Sequence, residues 1–401
     1  MSIIVMKFGG TSVANIEKIK NVAHIVEKEV KFHKIIVVLS AMSGETNKLQ
    51  KYLDEIHSES SIENDLVLTS GEQVTIGLLS SVLKRKKINS LPLLGWQIPI
   101  ITDENYEKAK ILNIDKKRID LFFKQFDVIV LAGFQGVNSK GFITSFGRGG
   151  SDTTAVAIAS VLKAERCDIY TDVEGVFTTD PNIEVKAKKI SQLSFEEMLE
   201  MASMGAKVLQ TRSVELAMKN NLSLQVLSSL TKKEGTYIID EKNLVEKEIV
   251  SAVSFSKNES KITISGIPDQ PGISAKIFGL MSQNKINVDM IVQNISQDGI
   301  FANITFTVSS KDHDIAKLVL EENIKILKYK SLHTDKNVSK ISVIGMGMMS
   351  QTGVAEKMFK TLANNSINIQ AISTSEIKIS VLIDEKFTNI AVKSLHDVYN
   401  L

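Results

Sequence analysis

Short apolar runs alternate with helix-like segments over residues 1–230. The apolar runs predict strands, because strands buried on both faces of a parallel sheet read as nearly continuous Val, Ile and Leu. They lie at residues 3–8, 34–40, 90–94, 127–133, 167–171 and 222–227. Apolar residues at helical spacing predict helices at residues 16–30, 47–56, 72–86, 152–162, 195–201 and 206–219, and Ser194 with Glu197 forms a capping box before one of them. The pattern predicts an α/β fold over residues 1–240, a mostly parallel sheet sandwiched by helices.

Residues 229–248 are polar and charged, and we interpret them as a domain boundary. Beyond it the chain repeats itself at a distance of 81 positions. The matching residues are Gly272, Lys276, Phe278, Asn284, Ile286, Asn287 and Ile291 in one copy, and Gly353, Lys357, Phe359, Asn365, Ile367, Asn368 and Ile372 in the other. Each copy reads strand, glycine turn, helix, strand. The repeat predicts two related α+β modules, with an exchange of strands between them left open.

Composition narrows the class of protein. The 401 residues are 43% apolar and 23% charged, as in globular proteins of two or three domains. A net charge of +2 gives no reason to expect a nucleic-acid partner. The single cysteine, Cys167, indicates a reducing compartment, so we expect a cytoplasmic protein. We see no apolar run near the roughly 20 residues that cross a bilayer and expect no membrane partner.

The first apolar run leads directly into Lys7-Phe8-Gly9-Gly10-Thr11-Ser12. A strand, a glycine turn and a helix N-terminus can bind an anion, because backbone N–H groups point outward and the helix dipole favours negative charge. Lys7 adds a full positive charge. The string is neither a Walker loop nor a dinucleotide fingerprint. Phosphate binding and an ordinary strand-to-helix turn therefore both remain open.

A second glycine cluster, Gly147-Arg148-Gly149-Gly150-Ser151-Asp152, precedes the helix predicted at 152–162. Only five of the 48 basic residues are Arg, so an Arg within a glycine cluster is informative. The planar guanidinium of an Arg can donate two parallel hydrogen bonds to a carboxylate or phosphate, which a Lys ammonium cannot do. Asp152 falls in the first helical turn, where a carboxylate is favoured. A ligand-binding loop is the interpretation that accounts for the Arg, and a flexible loop with a helix cap is the alternative.

Further candidates stand where predicted strands end or helices begin. Ser40 ends the second strand, and Glu72 opens a helix. Asp172 is a candidate contact for Mg²⁺ or a nucleotide, and Asp180-Pro181 forms a turn after it. Each also has a plain structural role available, as turn punctuation or as a favourable first-turn acid. The six histidines show no metal-ligand spacing.

Taken in order, several strings closely resemble the aspartate kinases (aspartokinases), and the monofunctional form in particular. They are Lys7-Phe8-Gly9-Gly10-Thr11-Ser12, Ser70-Gly71-Glu72-Gln73, Gly147-Arg148-Gly149-Gly150-Ser151-Asp152-Thr153, Asp168-Ile169-Tyr170-Thr171-Asp172-Val173, Glu196-Glu197-Met198-Leu199-Glu200-Met201-Ala202 and Ala206-Lys207-Val208-Leu209. The resemblance runs essentially from end to end. It implies an amino-acid-kinase catalytic domain at residues 1–240, then ferredoxin-like ACT regulatory modules at 249–328 and 338–401.

The resemblance implies that L-aspartate and Mg-ATP are converted to 4-phospho-L-aspartate and ADP, the first step of lysine, threonine and methionine biosynthesis. Lys7 and Asp152 are the implied catalytic residues. The implied ATP-binding residues are Lys7, Gly9, Gly10, Thr11, Ser40, Thr171, Asp172, Phe177, Asp180, Pro181 and Lys207. The implied substrate-binding residues are Glu72, Arg148, Gly149, Gly150 and Ser151. Mg²⁺ is expected to arrive with ATP, with no side chain assigned as its ligand.

The resemblance also implies an effector site in the first ACT module. Its residues are Asp269, Gln270, Pro271, Gly272, Ile273, Ser274, Asn287, Asp289 and Gln293. The corresponding second loop, at 349–353, lacks the usual basic residue and His. We expect feedback regulation by lysine and/or threonine, and a homo-oligomer, a dimer or larger, formed through the ACT modules. The alternatives are a kinase for another amino acid or a carbamate on the same fold, and a catalytically silent amino-acid sensor.

Overall fold

The computed structural model describes residues 1–57, 59–204, 208–231, 233–244, 248–297 and 299–401. The chain divides into two compact units, which interleave along the sequence. The first comprises Met1–Val176, Lys189–Ala202 and Lys207–Val245, and the second comprises Phe177–Lys188, Ser203–Ala206 and Glu246–Leu401.

The first unit is an α/β domain built on an eight-stranded sheet and a smaller four-stranded one. Its strands are β1 Ile3–Phe8, β2 Lys34–Leu39, β3 Ser90–Leu93, β4 Ile100–Thr102, β5 Ile111–Ile114, β6 Val128–Ala132, β7 Gln135–Asn138, β8 Ile143–Ser145, β9 Arg166–Thr171, β10 Gln192–Ser194, β11 Leu224–Ser228 and β12 Thr236–Ile239. Its helices are α1 Ile16–Glu29, α2 Glu45–Glu55, α3 Ile62–Leu68, α4 Ser70–Arg85, α5 Lys116–Phe123, α6 Gly150–Leu162, α7 Phe195–Ser203 and α8 Thr211–Lys219.

The large sheet has the strand order β10-β12-β11-β9-β1-β2-β6-β3. The six strands from β11 to β3 are parallel, and β12 runs antiparallel to β11. All six strands predicted from the sequence are among these. Since their carboxyl ends meet at one edge, the turns that follow β1, β2 and β6 are brought together there.

Burial of the central strands and of one face of α1 and α4 forms the main core. Residues 4–6 of β1 and 35–39 of β2 are buried, which explains their unbroken apolar sequence. Helix α1 begins where the Asn15 side chain accepts a hydrogen bond from Lys18 N at 2.9 Å. It turns Ile19 and Val22 into the core beside Leu79 of α4, and each such side chain contributes roughly 1.5–3 kcal/mol.

The smaller sheet, ordered β5-β4-β7-β8, was not predicted. Its strands are three or four residues long, too short for a clear alternation of apolar and polar positions. Helix α3 was also missed. The predicted helix at 206–219 begins only at Thr211, and residues 206 and 207 lie outside the described part of the chain.

The second unit contains one six-stranded sheet. Its strands are β13 Ala252–Pro268, β14 Val288–Ile295, β15 Phe301–Val308, β16 Ser331–Ile344, β17 Ala371–Thr374 and β18 Lys378–Asp384, and its helices are α9 Ile273–Gln283, α10 His313–Glu322, α11 Ile324–Leu327, α12 Val354–Asn364 and α13 Thr388–Tyr399. The order is β14-β15-β13-β16-β18-β17. The two longest strands, β13 and β16, pair along most of their length and belong to both repeats.

One helical stretch of the described residues, Ile62–Arg85, is long and apolar enough to cross a membrane, with a mean hydropathy of 1.4. The expectation that no stretch approaches this length therefore does not hold by that criterion. In the structure the stretch is divided into α3 and α4, and α4 packs Ile76, Leu79 and Leu83 into the main core. A core helix of a globular protein passes the same test, so the finding is weak evidence for a membrane.

Candidate active site

The site lies where β1, β2 and β6 end. Gly9 N donates to Tyr170 O at 3.2 Å, and Ser40 N donates to Phe8 O at 3.2 Å, so the turns continue the sheet's hydrogen bonding. Beside them, a Cβ added to Gly133 would lie 2.8 Å from the Ser151 hydroxyl oxygen. Glycine is therefore required there for the turn after β6 to meet the N-terminus of α6.

An ion pair between Lys7 and Asp152 forms the centre of the site. The Lys7 Nζ lies 2.6 Å from Asp152 Oδ1, and the two side chains are 12% and 9% exposed. Lys7 comes from β1, and Asp152 from the first turn of α6, as the sequence predicted. A Cβ on Gly9 would lie 3.3 Å from the ammonium, so glycine leaves that side of the cation open.

Glu72 is a buried carboxylate, 2% exposed, in the first turn of α4. Its Oε1 accepts a hydrogen bond from Ala41 N at 3.0 Å. Its Oε2 is also buried and has no hydrogen-bond partner among the described residues. Burial raises the pKa of Glu72 from 4.5 to about 7, although the backbone hydrogen bond from Ala41 opposes this. A cationic group beside Oε2 would satisfy this oxygen and restore the charge.

Arg148 stands between two glycines in the left-handed region, Gly147 and Gly149, each with φ +72°. These conformations favour glycine and turn the chain sharply between β8 and α6. The Arg148 side chain is exposed and forms no hydrogen bond or ion pair with residues in the described ranges. Its fork is therefore available to bind an anion.

A cavity of about 470 Å³ connects these groups. The predicted residues that line it are Lys7, Ser40, Glu72, Arg148, Gly149, Gly150, Ser151 and Asp152. Gly147 of the predicted glycine cluster and Ser145, two residues before it, also line the cavity. Sequence reasoning missed the others, which are Thr46, Asn47, Gln50, Leu68, Glu107, Lys108 and Phe134. Thr46, Asn47 and Gln50 follow the turn at residues 40–44, which ends β2 in mostly small residues. Their spacing fits one face of a helix, so the sequence did contain a signal for them.

Other residues implied in ATP binding lie outside this cavity lining. Gly10 and Thr11 are in the short 3₁₀ turn Gly10–Val13 that follows β1. Thr171 ends β9 and donates from Oγ1 to Asp172 Oδ1 at 3.1 Å. Near them, Ser229 N donates to Thr171 O at 3.0 Å, a contact the sequence did not indicate.

Phe177, Asp180 and Pro181 belong to the second unit and are described with it. Asp180 Oδ1 accepts a hydrogen bond from Asn182 N at 2.8 Å, which forms the turn expected of an Asp-Pro sequence. Lys207 lies outside the described residues.

The residues implied in effector binding lie in two segments of the second unit. Gly272, with φ +90°, precedes α9, and the exposed Asp269, Gln270 and Pro271 come directly before it. Ile273 is buried in the first turn of that helix. The other segment comprises Asn287, directly before β14, and Asp289 and Gln293 within it.

Three of these residues already have partners. Ser274 donates to Gln293 Oε1 at 3.1 Å, which joins the start of α9 to β14. Asp289 Oδ2 lies 2.5 Å from the Lys340 ammonium, which also contacts Glu259 at 3.3 Å. Partial burial would raise the pKa of Asp289, but the hydrogen bond and charge of Lys340 outweigh this and lower it.

The described residues contain no group of three or more His, Cys, Asp or Glu side chains arranged to hold a metal ion. Asp152, the acid at the centre of the cavity, is already paired with Lys7.

Family models match both parts of the chain. The model described as "Amino acid kinase family" matches residues 2–228, and that described as "ACT domain" matches residues 262–324 and 341–399. Together with the parallel sheet and the Lys7–Asp152 cavity, this defines an amino acid kinase followed by ACT domains. The predicted fold class is thereby confirmed.

The relatives define the class more narrowly. An aspartate kinase of Pseudomonas putida is 48% identical over 100% of this chain and 98% of its own. The E. coli aspartokinase III structures "in complex with aspartate and ADP (R-state)" and "in complex with lysine and aspartate (T-state)" have TM-scores of 0.84 and 0.77. Their identities are 23% and 24%, and they cover 99% and 98% of this chain and 99% of theirs. The chain belongs to the aspartate kinases, and the prediction of a phosphotransferase is confirmed.

Proposed function

We propose that this chain transfers the γ-phosphoryl group of ATP to the side-chain carboxylate of L-aspartate, giving ADP and 4-phospho-L-aspartate. The observation that carries the proposal is the pairing of opposite charges in one cavity. Glu72 presents a buried, unpartnered oxygen, and Arg148 presents an unpaired fork among the described residues. An amino acid with an ammonium and two carboxylates complements both, next to the Lys7–Asp152 pair.

The chemistry requires positioning more than proton transfer. An aspartate carboxylate oxygen is already ionised at neutral pH, so it can attack the γ-phosphorus without a general base while the bond to the β-phosphate oxygen breaks. Lys7 stabilises the charge on the phosphoryl oxygens, and Asp152 holds the ammonium in place. Glu72 and Arg148 orient the acceptor so that its oxygen lies in line.

We propose Mg²⁺ as the companion of ATP. The described residues offer no three-ligand cluster, which supports a metal ion bound mainly by the nucleotide's phosphates. When bound, Mg²⁺ neutralises phosphate charge. Gly9 and Gly10 are suited to a close phosphate approach, because Gly9 leaves the Lys7 ammonium uncovered.

For regulation, we propose feedback inhibition by lysine, threonine or both, through the first ACT module, in the pathway to lysine, threonine and methionine. Asp269 is exposed beside the N-terminus of α9 and can meet an ammonium, while turn N–H groups can meet an α-carboxylate. The structural relative solved with lysine and aspartate supports an amino-acid effector. Because Asp289 is paired with Lys340, Asp269 is the better candidate for the ammonium contact.

We propose that the chain forms a homo-oligomer, a dimer or larger, through the second unit, in the cytoplasm. Strand β14 is at one end of the sheet order, so its outer edge has unpaired backbone groups in this sheet. It also exposes Ile291 and Ile295 at 51% and 58%. Long edges with exposed apolar side chains favour pairing with another chain. Sedimentation showing only a 44.2 kDa species, with or without effectors, would contradict this.

One assay separates this function from its alternatives. The purified protein is incubated with Mg-ATP, L-aspartate and hydroxylamine, which traps an acyl phosphate as the hydroxamate. Formation of aspartyl hydroxamate supports the proposal, and preference for another amino acid or for carbamate supports a related kinase. No product with any acceptor, together with amino-acid binding, supports a sensor. Adding lysine, threonine or both identifies the effector.

A further inference from the structure

Asp65 of α3 is a buried carboxylate, 0% exposed, in a segment that the sequence analysis did not associate with the site. Its two oxygens accept hydrogen bonds from two other segments. Ser145 donates from N at 2.8 Å and from Oγ at 2.5 Å. Glu107 N donates to both oxygens, at 3.0 and 3.1 Å. A buried charge with this many donors is held in a single geometry.

Both partners of Asp65 line the cavity. Ser145 ends β8, three residues before Arg148 in the sequence. Glu107 and its neighbour Lys108 also line the cavity, and we call these two residues the lip. Ala109 N donates to Ser145 O at 2.9 Å, so the lip and the end of β8 are also joined directly.

The lip has a backbone conformation that requires support. Glu107 has φ +63°, in the left-handed region, which costs a residue other than glycine roughly 1–3 kcal/mol. Its N–H is held by Asp65, and its Oε1 accepts from Asn64 Nδ2 at 2.7 Å. Strain of this kind persists only where neighbouring groups hold it.

Arg212 of α8 holds the same two segments from another element. Its Nη2 donates to Ala109 O at 2.8 Å, and its Nη1 donates to Phe146 O at 3.2 Å. Contact is also close at Gly147, where an added Cβ would lie 2.8 Å from Glu107 O. The lip and the segment that leads to Arg148 are therefore joined through Asp65, through Arg212 and by direct backbone contact.

We propose that Asp65 is a positioning residue for the phosphoryl acceptor. It bridges Ser145 and Glu107 by hydrogen bonds and so holds the base of the Arg148 loop in place. The Arg148 guanidinium is thereby oriented toward the substrate carboxylate. This inference rests on the proposed function. Asp65 itself touches no reacting atom. Loss of this link should impair acceptor binding while leaving the ATP side intact, since Lys7 and Gly9 are positioned by β1.

The test is Asp65→Asn, which keeps the size but places an amide donor among N–H and O–H donors. We expect KM for aspartate to rise at least about 10-fold, because displacements near 1 Å are costly to a positioned group, with KM for ATP changing less than about twofold. Asp168→Asn is the matched control. It neutralises a buried carboxylate of the same unit, which lies in β9 and pairs with Arg166 at 3.0 Å. It should lower stability without raising KM for aspartate.

A double-mutant cycle with Arg148→Lys separates positioning from general destabilisation. If Asp65 acts through Arg148, Asp65→Asn should add little to KM for aspartate once Arg148 is replaced. Additive effects, or a loss of kcat with both KM values unchanged, would overturn the inference. Should Asp65→Asn fail to fold, Ser145→Ala removes one hydrogen bond and should raise KM for aspartate in the same direction. A wild-type protein that forms no aspartyl hydroxamate would instead refute the proposed function.

Discussion

Replacing Glu72 by Gln should make the catalytic unit more resistant to unfolding at high pH while weakening acceptor binding. The glutamine side-chain oxygen can keep the hydrogen bond from Ala41 N, and the substitution removes only the buried charge. Burial raises the pKa of Glu72 from 4.5 to about 7. In the unfolded chain the carboxyl group ionises near 4.5, so between these values the unfolded state loses a proton that the folded state retains.

The magnitude follows from linkage. Below pH 4.5 both states are protonated, and Glu72 causes no pH-dependent loss of stability. Between pH 4.5 and about 7 the wild type loses about 1.4 kcal/mol per pH unit relative to the variant. The difference therefore grows to about 3 kcal/mol by pH 8 and is then constant. The new buried amide adds an offset that does not depend on pH, so the change with pH is the quantity to compare.

Tryptophan fluorescence in urea is the appropriate measurement. The chain has one tryptophan, Trp96, and it lies in the first unit, so the signal reports that unit alone. Unfolding is followed at pH 5, 6.5 and 8 for wild type, Glu72→Gln and the control Glu17→Gln, whose side chain is exposed. The control should stay within about 0.5 kcal/mol of wild type. A Glu72→Gln difference that does not change with pH would refute the reasoning. The ionised form of Glu72 is the one that meets the substrate ammonium, so a wild-type KM for aspartate that does not fall as pH rises through 7 would refute it as well.

Other substitutions test the remaining parts of the site. Lys7→Ala should fold normally and reduce kcat by roughly 10²-fold or more, and near-normal turnover would remove Lys7 from the mechanism. Arg148→Lys keeps the charge but loses the fork, so KM for aspartate should rise far more than KM for ATP. An equal rise in both would place Arg148 on the nucleotide side. Asp269→Ala should relieve feedback inhibition with little change in uninhibited kcat. A lower melting temperature with an unchanged inhibition constant would instead make Asp269 a turn residue only.

The parallel sheet and the centre of the cavity could be predicted because their signals are local. Residues 35–39 are buried on both faces of the sheet, so their apolar run predicted the strand almost to its ends. The glycines around Arg148 are required by the backbone itself, at φ +72°. The capping box is also local, with Ser194 and Glu197 exchanging hydrogen bonds of 3.0 and 3.1 Å.

The lip and its support could not be predicted, because their stabilisation comes from distant segments. Asn64 and Asp65 are polar residues in a segment where the sequence predicted no helix, yet both are buried. Asp65 is stabilised by donors 42 and 80 positions away in the sequence, and no local pattern reveals them. Lys340 and Asp289, 51 positions apart, form a similar pair in the second unit. Sequence patterns show where a chain is buried, but not which distant donor makes a buried charge tolerable.

The sharing of β13 and β16 joins the two repeats of the second unit into a single sheet. Residues 252–256 of β13 pair with 340–344 of β16, in the core of the second repeat, while residues 261–265 pair with 331–335, in the core of the first. The second repeat thus uses a strand segment that precedes the helices of the first, and a cut at residue 330 would leave the first repeat without one of its strand segments. We therefore expect the two repeats to melt together, so that an amino acid bound to one should raise the melting temperature of both.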